Sequence, residues 1–201
     1  MKIGIVIGSV RDGRFGEGVG QWVTEAAQKR EAATYEVLDL KEFNVPLLTS
    51  ATVPGAANKQ YDDENVTAWS QAVDSCDGFV FITPEYNHGV PGAMKNAYDS
   101  LGMEWWGKPV AFVSYGAAEG VRAVESWRQI VGNFQQYDVR NQVYLSTFND
   151  AKDHVFTPQE RRRGELETML GDLEKLVAQM AKWILRGRRG RGGIRTGALI
   201  G

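Results

Sequence analysis

The chain is poor in the residues that build disulfide frameworks and metal centres. It has one cysteine, Cys76, and two histidines, His88 and His154, in 201 residues. A single thiol excludes an intrachain disulfide and fits a reducing compartment. No grouping of His, Cys, Asp and Glu has the spacing of a metal site, so no metal is expected. Long hydrophobic runs are also missing. The apolar opening from Met1 to Ser9 is too short to span a bilayer, and no cleavage site follows it. It reads as the first strand of a cytoplasmic protein. There is no Gly-Lys-Ser/Thr ending of a triphosphatase P-loop, and no nucleophile elbow with a Ser/His/Asp set.

A large net charge is absent too, at −2, but the charge is unevenly placed. Arg186, Arg188, Arg189, Arg191 and Arg195 follow the last acid, Glu174. Without them, 18 basic residues stand against 25 acidic ones. An acidic body argues against nucleic acid as a partner. Gly190, Gly192, Gly193 and Gly197 share the basic stretch. Residues 187–201 are therefore expected to form a poorly ordered tail, with residues 1–186 as one domain. At 43% hydrophobic, the chain has the composition of a soluble domain with its own core.

Strand-like runs alternate with helix-like patterns along the whole body. Ile3 to Ile7, Tyr35 to Leu40, Gly78 to Ile82, Pro109 to Ser114 and Gln142 to Leu145 read as five strands. Val19, Trp22, Val23 and Ala26 mark a first helix, and Val66, Trp69 and Val73 mark another. Further helices are expected from Gly92 to Leu101, from Val121, and from Thr157. For the last, Thr157 reads as the cap, Pro158 as the first turn and Glu160 as the closing residue of a capping box. Its stripe of Leu166, Leu170, Leu173, Val177, Met180 and Ile184 reads as core. Phe43 to Gln60, with Pro46 and Pro54, reads as a long loop. Such alternation predicts an α/β fold with one parallel sheet covered on both faces. Ligands then bind beyond the carboxyl ends of the strands, here the loops after strands one, three and four.

The first of these loops is Gly8-Ser9-Val10-Arg11-Asp12-Gly13-Arg14-Phe15-Gly16-Glu17-Gly18. A hydroxyl, two arginines and several glycines just before a helix favour a phosphate, held by free N–H groups and the helix dipole. Arg11 adds a charge-assisted bond and Ser9 a hydroxyl. Two other readings stand beside this one. Gly16-x-Gly18-x-Gly20 with Asp39 some way on resembles a dinucleotide fingerprint, although the glycines come late and their spacing differs. The loop also reads as a ligand-free glycine-rich turn.

The loop after strand three, Thr83-Pro84-Glu85-Tyr86-Asn87-His88-Gly89-Val90-Pro91-Gly92, is more specific. It sets an aromatic, an amide and a run of backbone donors at the mouth of a central strand. A flavin needs a flat contact and donors for its ring edge, and the N–H groups of Glu85, Tyr86 and Asn87 are expected to supply them. With Lys95-Asn96 behind it and Ser9, Arg11, Arg14, Gly16 and Trp22 before it, this segment resembles the NADPH-dependent FMN reductase family. The resemblance covers roughly residues 1 to 185. It implies a flavodoxin-like three-layer sandwich with a five-stranded parallel sheet in the order 2-1-3-4-5. It implies FMN as cofactor and NADPH or NADH as electron donor. Ser9, Arg11 and the Phe15-Gly16-Glu17-Gly18 backbone would hold the phosphate. Pro84, Glu85, Tyr86 and Asn87 would line the ring, with Ser114-Tyr115-Gly116-Ala117 as a third flavin loop, in which Ser114, Gly116 and Ala117 would touch the cofactor. Asp12-Gly13 departs from the family pattern and leaves the role of Arg14 open.

The expected activity is hydride transfer from NAD(P)H to FMN, then two electrons to a quinone, free flavin, azo compound or similar acceptor. The alternatives are a single-electron carrier and a flavin-binding module without turnover. No side chain is expected to be catalytic, since FMN carries the chemistry. His88 reads as a loop-orienting residue, His154 receives no role, and Cys76 reads as a packed small residue. A homodimer or dimer of dimers is expected. Of the adjacent Trp105 and Trp106, one is expected outside the core, on a subunit interface or the open ring face.

Overall fold

The computed structural model describes the backbone of residues 1–190 and the side chains of residues 1–183. One sheet carries five parallel strands in the order β2-β1-β3-β4-β5. They are β1 Lys2–Ile7, β2 Thr34–Asp39, β3 Gly78–Pro84, β4 Val110–Gly116 and β5 Val143–Ser146. Helices α1 (Phe15–Ala27) and α6 (Glu160–Gly190) cover one face. Helices α2 (Leu40–Phe43), α3 (Glu64–Asp74), α4 (Gly92–Asp99) and α5 (Val121–Val131) cover the other. Among the described residues no helix is long and apolar enough to cross a membrane.

Side-chain alternation along the strands sorts the core into two chemically distinct halves. Ile3, Ile5, Ile7, Val80, Ile82, Ala111 and Val113 point toward α1 and α6, where Val19, Val23, Leu166, Leu170, Leu173 and Val177 meet them. Phe79, Phe81 and Phe112 point the other way, into Trp69, Tyr98, Trp105 and Trp127. The rings meet mostly edge-on, as Phe81 and Trp127 do at 5.5 Å and 68°. Tyr98 and Trp105 stack at 4.8 Å and 19°. Each such burial contributes roughly 1.5–3 kcal/mol. Trp105 is thus a core residue, while Trp106 beside it stays exposed. Cys76 is buried in the aromatic half, and burial pushes its thiol pKa up.

Three local details differ from the sequence reading. A two-stranded hairpin, β6 (Ala151–Lys152) with β7 (Val155–Phe156), precedes α6. Thr157 does not cap α6, because its hydroxyl donates to the Val155 carbonyl at 3.2 Å. The buried Asp150 carboxylate instead accepts the Gln159 N–H at 3.0 Å and the Ser146 N–H at 2.9 Å. The last helix also runs past Arg186 to Gly190, so residues 187–190 continue it despite the glycine. Residues 191–201 of the expected tail, and the Ile184 side chain of the expected stripe, lie outside the description.

Candidate functional site

The loop after β1 begins where a side chain cannot fit. At Gly8 a Cβ would sit 2.9 Å from the Ile82 carbonyl and 2.3 Å from the Met94 sulfur. The Gly8 N–H donates to that carbonyl at 2.9 Å. From Ser9 to Gly16, by contrast, no backbone N–H finds an acceptor among the described residues. Helix α1 starts at Phe15 with no side-chain cap, so its first turn keeps free donors at the positive end of the dipole. Arg11 makes no ion pair among the described residues, and its guanidinium lies 6.0 Å from the Tyr86 ring centre.

Arg14 is committed elsewhere. Its guanidinium grips both carboxylate oxygens of Asp39, one of them at 2.6 Å, and donates to the Ser9 carbonyl at 2.7 Å. Both side chains are largely buried. Asp39 is therefore spent inside the protein, which removes it as a ribose-reading acid. Gly16, Gly18 and Gly20 have packing reasons. A Cβ at Gly16, Gly18 or Gly20 would meet the Tyr115 hydroxyl at 2.5 Å, the Phe156 Cβ at 3.0 Å or the Ile7 side chain at 2.5 Å. Their spacing lets α1 lie close to its neighbours and owes nothing to a dinucleotide.

The loop after β3 is a tight two-residue hairpin. Tyr86 and Gly89 exchange N–H···O bonds at 3.1 Å, with Asn87 and His88 at φ 48° and 66° between them. The Glu85 N–H donates to the Tyr115 carbonyl at 3.1 Å. Two of the three donors expected at the ring edge, Glu85 and Tyr86, are thus already engaged, and only the Asn87 N–H of that set is free. The Glu85 carboxylate accepts the Arg122 N–H at 2.9 Å and pairs with its guanidinium at 2.9 Å, which fastens the loop to the start of α5. Trp127 on α5 donates to the Thr83 hydroxyl at 3.1 Å. The Tyr86 hydroxyl bonds Ser9 Oγ at 2.8 Å and joins the first and third loops.

Strand β4 runs two residues further than its apolar run suggested, and this changes the third loop. Ser114 lies within the strand, and its buried hydroxyl donates to the Glu119 carbonyl at 2.7 Å. Tyr115 points to the opposite face, toward α1. It is 5% exposed, and its hydroxyl has no hydrogen-bond partner among the described residues. Burial pushes its pKa well above the ordinary tyrosine value, so at neutral pH it is an O–H donor.

These loops enclose a cavity of about 390 Å³ beyond the carboxyl ends of β1, β3 and β4. Of the residues expected to bind a cofactor, Ser9, Arg11, Phe15, Pro84, Glu85, Tyr86, Gly116 and Ala117 line it. Gly16, Glu17, Gly18, Asn87 and Ser114 of the expected set do not line it. Gly13 and Arg14 of the first loop and Tyr115 of the third line it too, and so do Thr147 and His154, to which the sequence gives no site role. His154 comes as a correction: far off in sequence, it arrives because the β6–β7 hairpin folds back onto α1. Phe156 packs edge-on against Phe15 at 5.3 Å and Trp22 at 5.5 Å. The Asp153-His154 pair, at φ 50° and 63°, makes the hairpin turn.

The model of the NADPH-dependent FMN reductase family matches residues 1–150. The chain belongs to that family. Among its relatives, an NAD(P)H-dependent FMN reductase of Nectria sp is 40% identical over 61% of this chain and 63% of its own length. One from Schizosaccharomyces pombe is 35% identical over 65% of this chain and 66% of its own length. A quinone reductase of Pseudomonas putida is 33% identical over 64% and 68%. The chain thus spans just under two thirds of the length of the first two. The flavoenzyme NAD(P)H:acceptor oxidoreductase from Paracoccus denitrificans shares the fold, with a TM-score of 0.64 at 18% identity over 90% of this chain and 97% of that one. The FMN reductase match ends at Asp150, so the hairpin carrying His154 lies beyond it.

Proposed function

We propose that this protein is an FMN-dependent NAD(P)H oxidoreductase whose acceptor is a quinone, free flavin, azo compound or similar small molecule. The observation that carries this reading is the two-ended cavity at the carboxyl edge of the sheet. One end offers unpaired N–H groups from Ser9 to Gly16, the Ser9 hydroxyl, and Arg11, which has no ion-pair partner among the described residues. Those donors fit a phosphate. The other end is walled by Pro84, Glu85 and Tyr86 on one side and by Gly116 and Ala117 on the other. The buried Tyr115 hydroxyl, without a partner among the described residues, is a polar group that a ligand would satisfy.

Ser9, Arg11 and the first turn of α1 would hold the phosphate of FMN, and the loops after β3 and β4 would hold its ring. When bound, FMN supplies hydride and electron transfer. The chain supplies position. The Glu85–Arg122 pair and the Trp127–Thr83 bond fix the ring-side loop from behind, and the aromatic half of the core stiffens the strand beneath it. No side chain is needed as acid or base. The donor nicotinamide and then the acceptor would use the open side of the cavity in turn.

A homodimer belongs to the same proposal. Leu47, Leu48, Val53, Met103 and Trp106 are exposed apolar side chains, and the segments bearing Val53 and Met103 touch where Gly102 abuts Gly55. A second copy would cover this patch. A cytoplasmic location completes the proposal, to be read by cell fractionation.

The activity is tested by steady-state oxidation of NADPH and NADH with menadione as acceptor, after loading with FMN. Sustained turnover is expected. A protein that takes up no FMN would end the reading. One that binds FMN but oxidises neither nucleotide would be a carrier or binding module instead.

A further inference from the structure

The first turn of α6 holds Arg161, Arg162 and Arg163. Cations are unfavourable there, because the dipole makes that end of a helix positive. Arg161 and Arg163 stay exposed, but Arg162 turns inward and is 2% exposed. Burying a guanidinium is costly, and apolar residues of similar volume often serve stability as well or better. Helix stability therefore does not account for Arg162. Its contacts do. Nη2 meets Glu119 Oε1 at 2.9 Å and Asp150 Oδ2 at 3.4 Å, and Nη1 meets Glu165 Oε2 at 2.9 Å. Glu119 belongs to the turn after β4, whose Gly116 and Ala117 wall the cavity. Asp150 belongs to the segment after β5 that brings Thr147 and His154 to the same cavity. The two segments also meet at one oxygen, since the Gly116 carbonyl accepts the Glu119 and Thr147 N–H groups, both at 3.1 Å. Glu119 sits at φ 57°, where glycine is the easier residue. A glutamate kept in that conformation points to a use for its carboxylate.

We propose that Arg162 is a positioning residue for this wall of the cavity. By holding Glu119 and Asp150 on one planar guanidinium, it sets the spacing between the Gly116-Ala117 turn and the hairpin that carries His154. That spacing is the width of the opening through which FMN leaves and the acceptor enters. The proposal rests on the FMN reading and adds to it control by a buried side chain that lines no part of the cavity. Arg162 also lies outside residues 1–150, the part of the chain that matches the family. A rigid fork suits the task, because one group must reach carboxylates in several directions; a lysine has the charge without the fork.

The test compares two carboxylates that bond Arg162 at the same 2.9 Å and are similarly exposed, Glu119 and Glu165. Glu119→Gln and Glu165→Gln each remove one ion pair from Arg162 and leave its pair with Asp150 in place. Both are made in the full chain loaded with FMN. E119Q is expected to release FMN about fivefold faster, read as the return of flavin fluorescence on dilution. It should change the visible circular dichroism of the bound flavin. It should also raise the KM for menadione by a similar factor, with kcat within about twofold of wild type. E165Q should match wild type in all three readouts. Melting temperatures of the two variants should fall alike, so lost stability does not produce the difference. Arg162→Lys should resemble E119Q, and the two changes combined should add little to either. If E119Q and E165Q depart from wild type equally, or neither departs, Arg162 is a structural residue and the proposal is overturned. A silent Arg162→Lys, or a loss in E119Q confined to kcat, overturns it as well. A wild-type chain that takes up no FMN would instead end the FMN reading on which the proposal stands.

Discussion

Arg11 and Arg14 stand three positions apart and serve different ends. Arg14 is neutralised by Asp39 and carries the backbone of Ser9, so it shapes the loop. Arg11 has no ion-pair partner among the described residues and faces the cavity. Arg11→Ala is expected to weaken FMN binding about tenfold with the melting temperature unchanged. Equal affinity in a flavin titration would remove Arg11 from the phosphate end. At the opposite edge of the sheet, Lys108 makes a separate residue-scale prediction. Its ammonium is largely buried and donates to the Val73 and Asp74 carbonyls at 2.9 and 3.1 Å. Burial pushes its pKa down from 10.5 to about 8. The folded state therefore releases this proton more readily than the unfolded state. The penalty is complete below pH 8 and fades as pH rises toward 10.5. Stability should rise by on the order of 2 kcal/mol from pH 8 to 10 relative to Lys108→Met. Urea midpoints of the two proteins across that range give the comparison. Parallel curves would show that Lys108 keeps an ordinary pKa.

At the scale of elements, the buried Arg162 ties three pieces of chain together. It pairs with Glu119 in the loop after β4, with Asp150 before the hairpin, and with Glu165 on its own helix. Asp150 is wholly buried and also receives the N–H groups of Ser146 and Gln159. Asp150→Asn should lower the unfolding free energy by about 3 kcal/mol, because it breaks a buried pair rather than a surface one. Urea denaturation measures it, and a loss below about 1 kcal/mol would show that the junction is not held by charge. This junction also marks where sequence reading stopped. The central strands β1, β3 and β4 are legible because each is a nearly continuous apolar run, β2 and β5 as shorter runs rich in Val, Leu and Tyr, and α1, α3 and α5 because their apolar spacing is helical. Strands β6 and β7 have two residues each and show no period, so the hairpin and its His154 stayed hidden. Thr157-Pro158-Gln159-Glu160 looked like a cap, but a carboxylate upstream in the chain took that role. Tyr115 reads from the sequence as part of a loop because the apolar run of β4 ends at Ser114, and its facing toward α1 is not encoded in that run. The Arg14–Asp39 pair joins loop to strand end across 25 positions, a contact no local pattern encodes.

For the molecule as a whole, the cavity lies at one end of the sheet, and exposed apolar side chains recur in the segments that carry Leu47, Leu48, Val53, Met103 and Trp106, with others such as Phe148 and Val155 elsewhere. Leu47 is 78% exposed and Val53 70% exposed. Long apolar side chains left in water in adjacent segments favour association. Sedimentation velocity is expected to show a dimer at micromolar concentration. The L47E/V53E double variant should be monomeric with an unchanged far-ultraviolet spectrum. A wild-type monomer would remove the dimer from the proposal and leave the cavity reading intact. Loop composition pointed to the flavin region, yet no single-chain pattern could show this patch, because Phe43 to Gln60 reads only as a loop.

The Arg14 clamp has a consequence in time. The loop after β1 is fastened to the end of β2 by the protein's own charges, so its shape does not wait for a ligand. The ordering entropy is met during folding and is not charged again when a flavin arrives. Capture then requires an encounter but no rearrangement of that loop. The arrival rates of phosphorylated and unphosphorylated flavins should be similar, and the difference between them should appear as residence time.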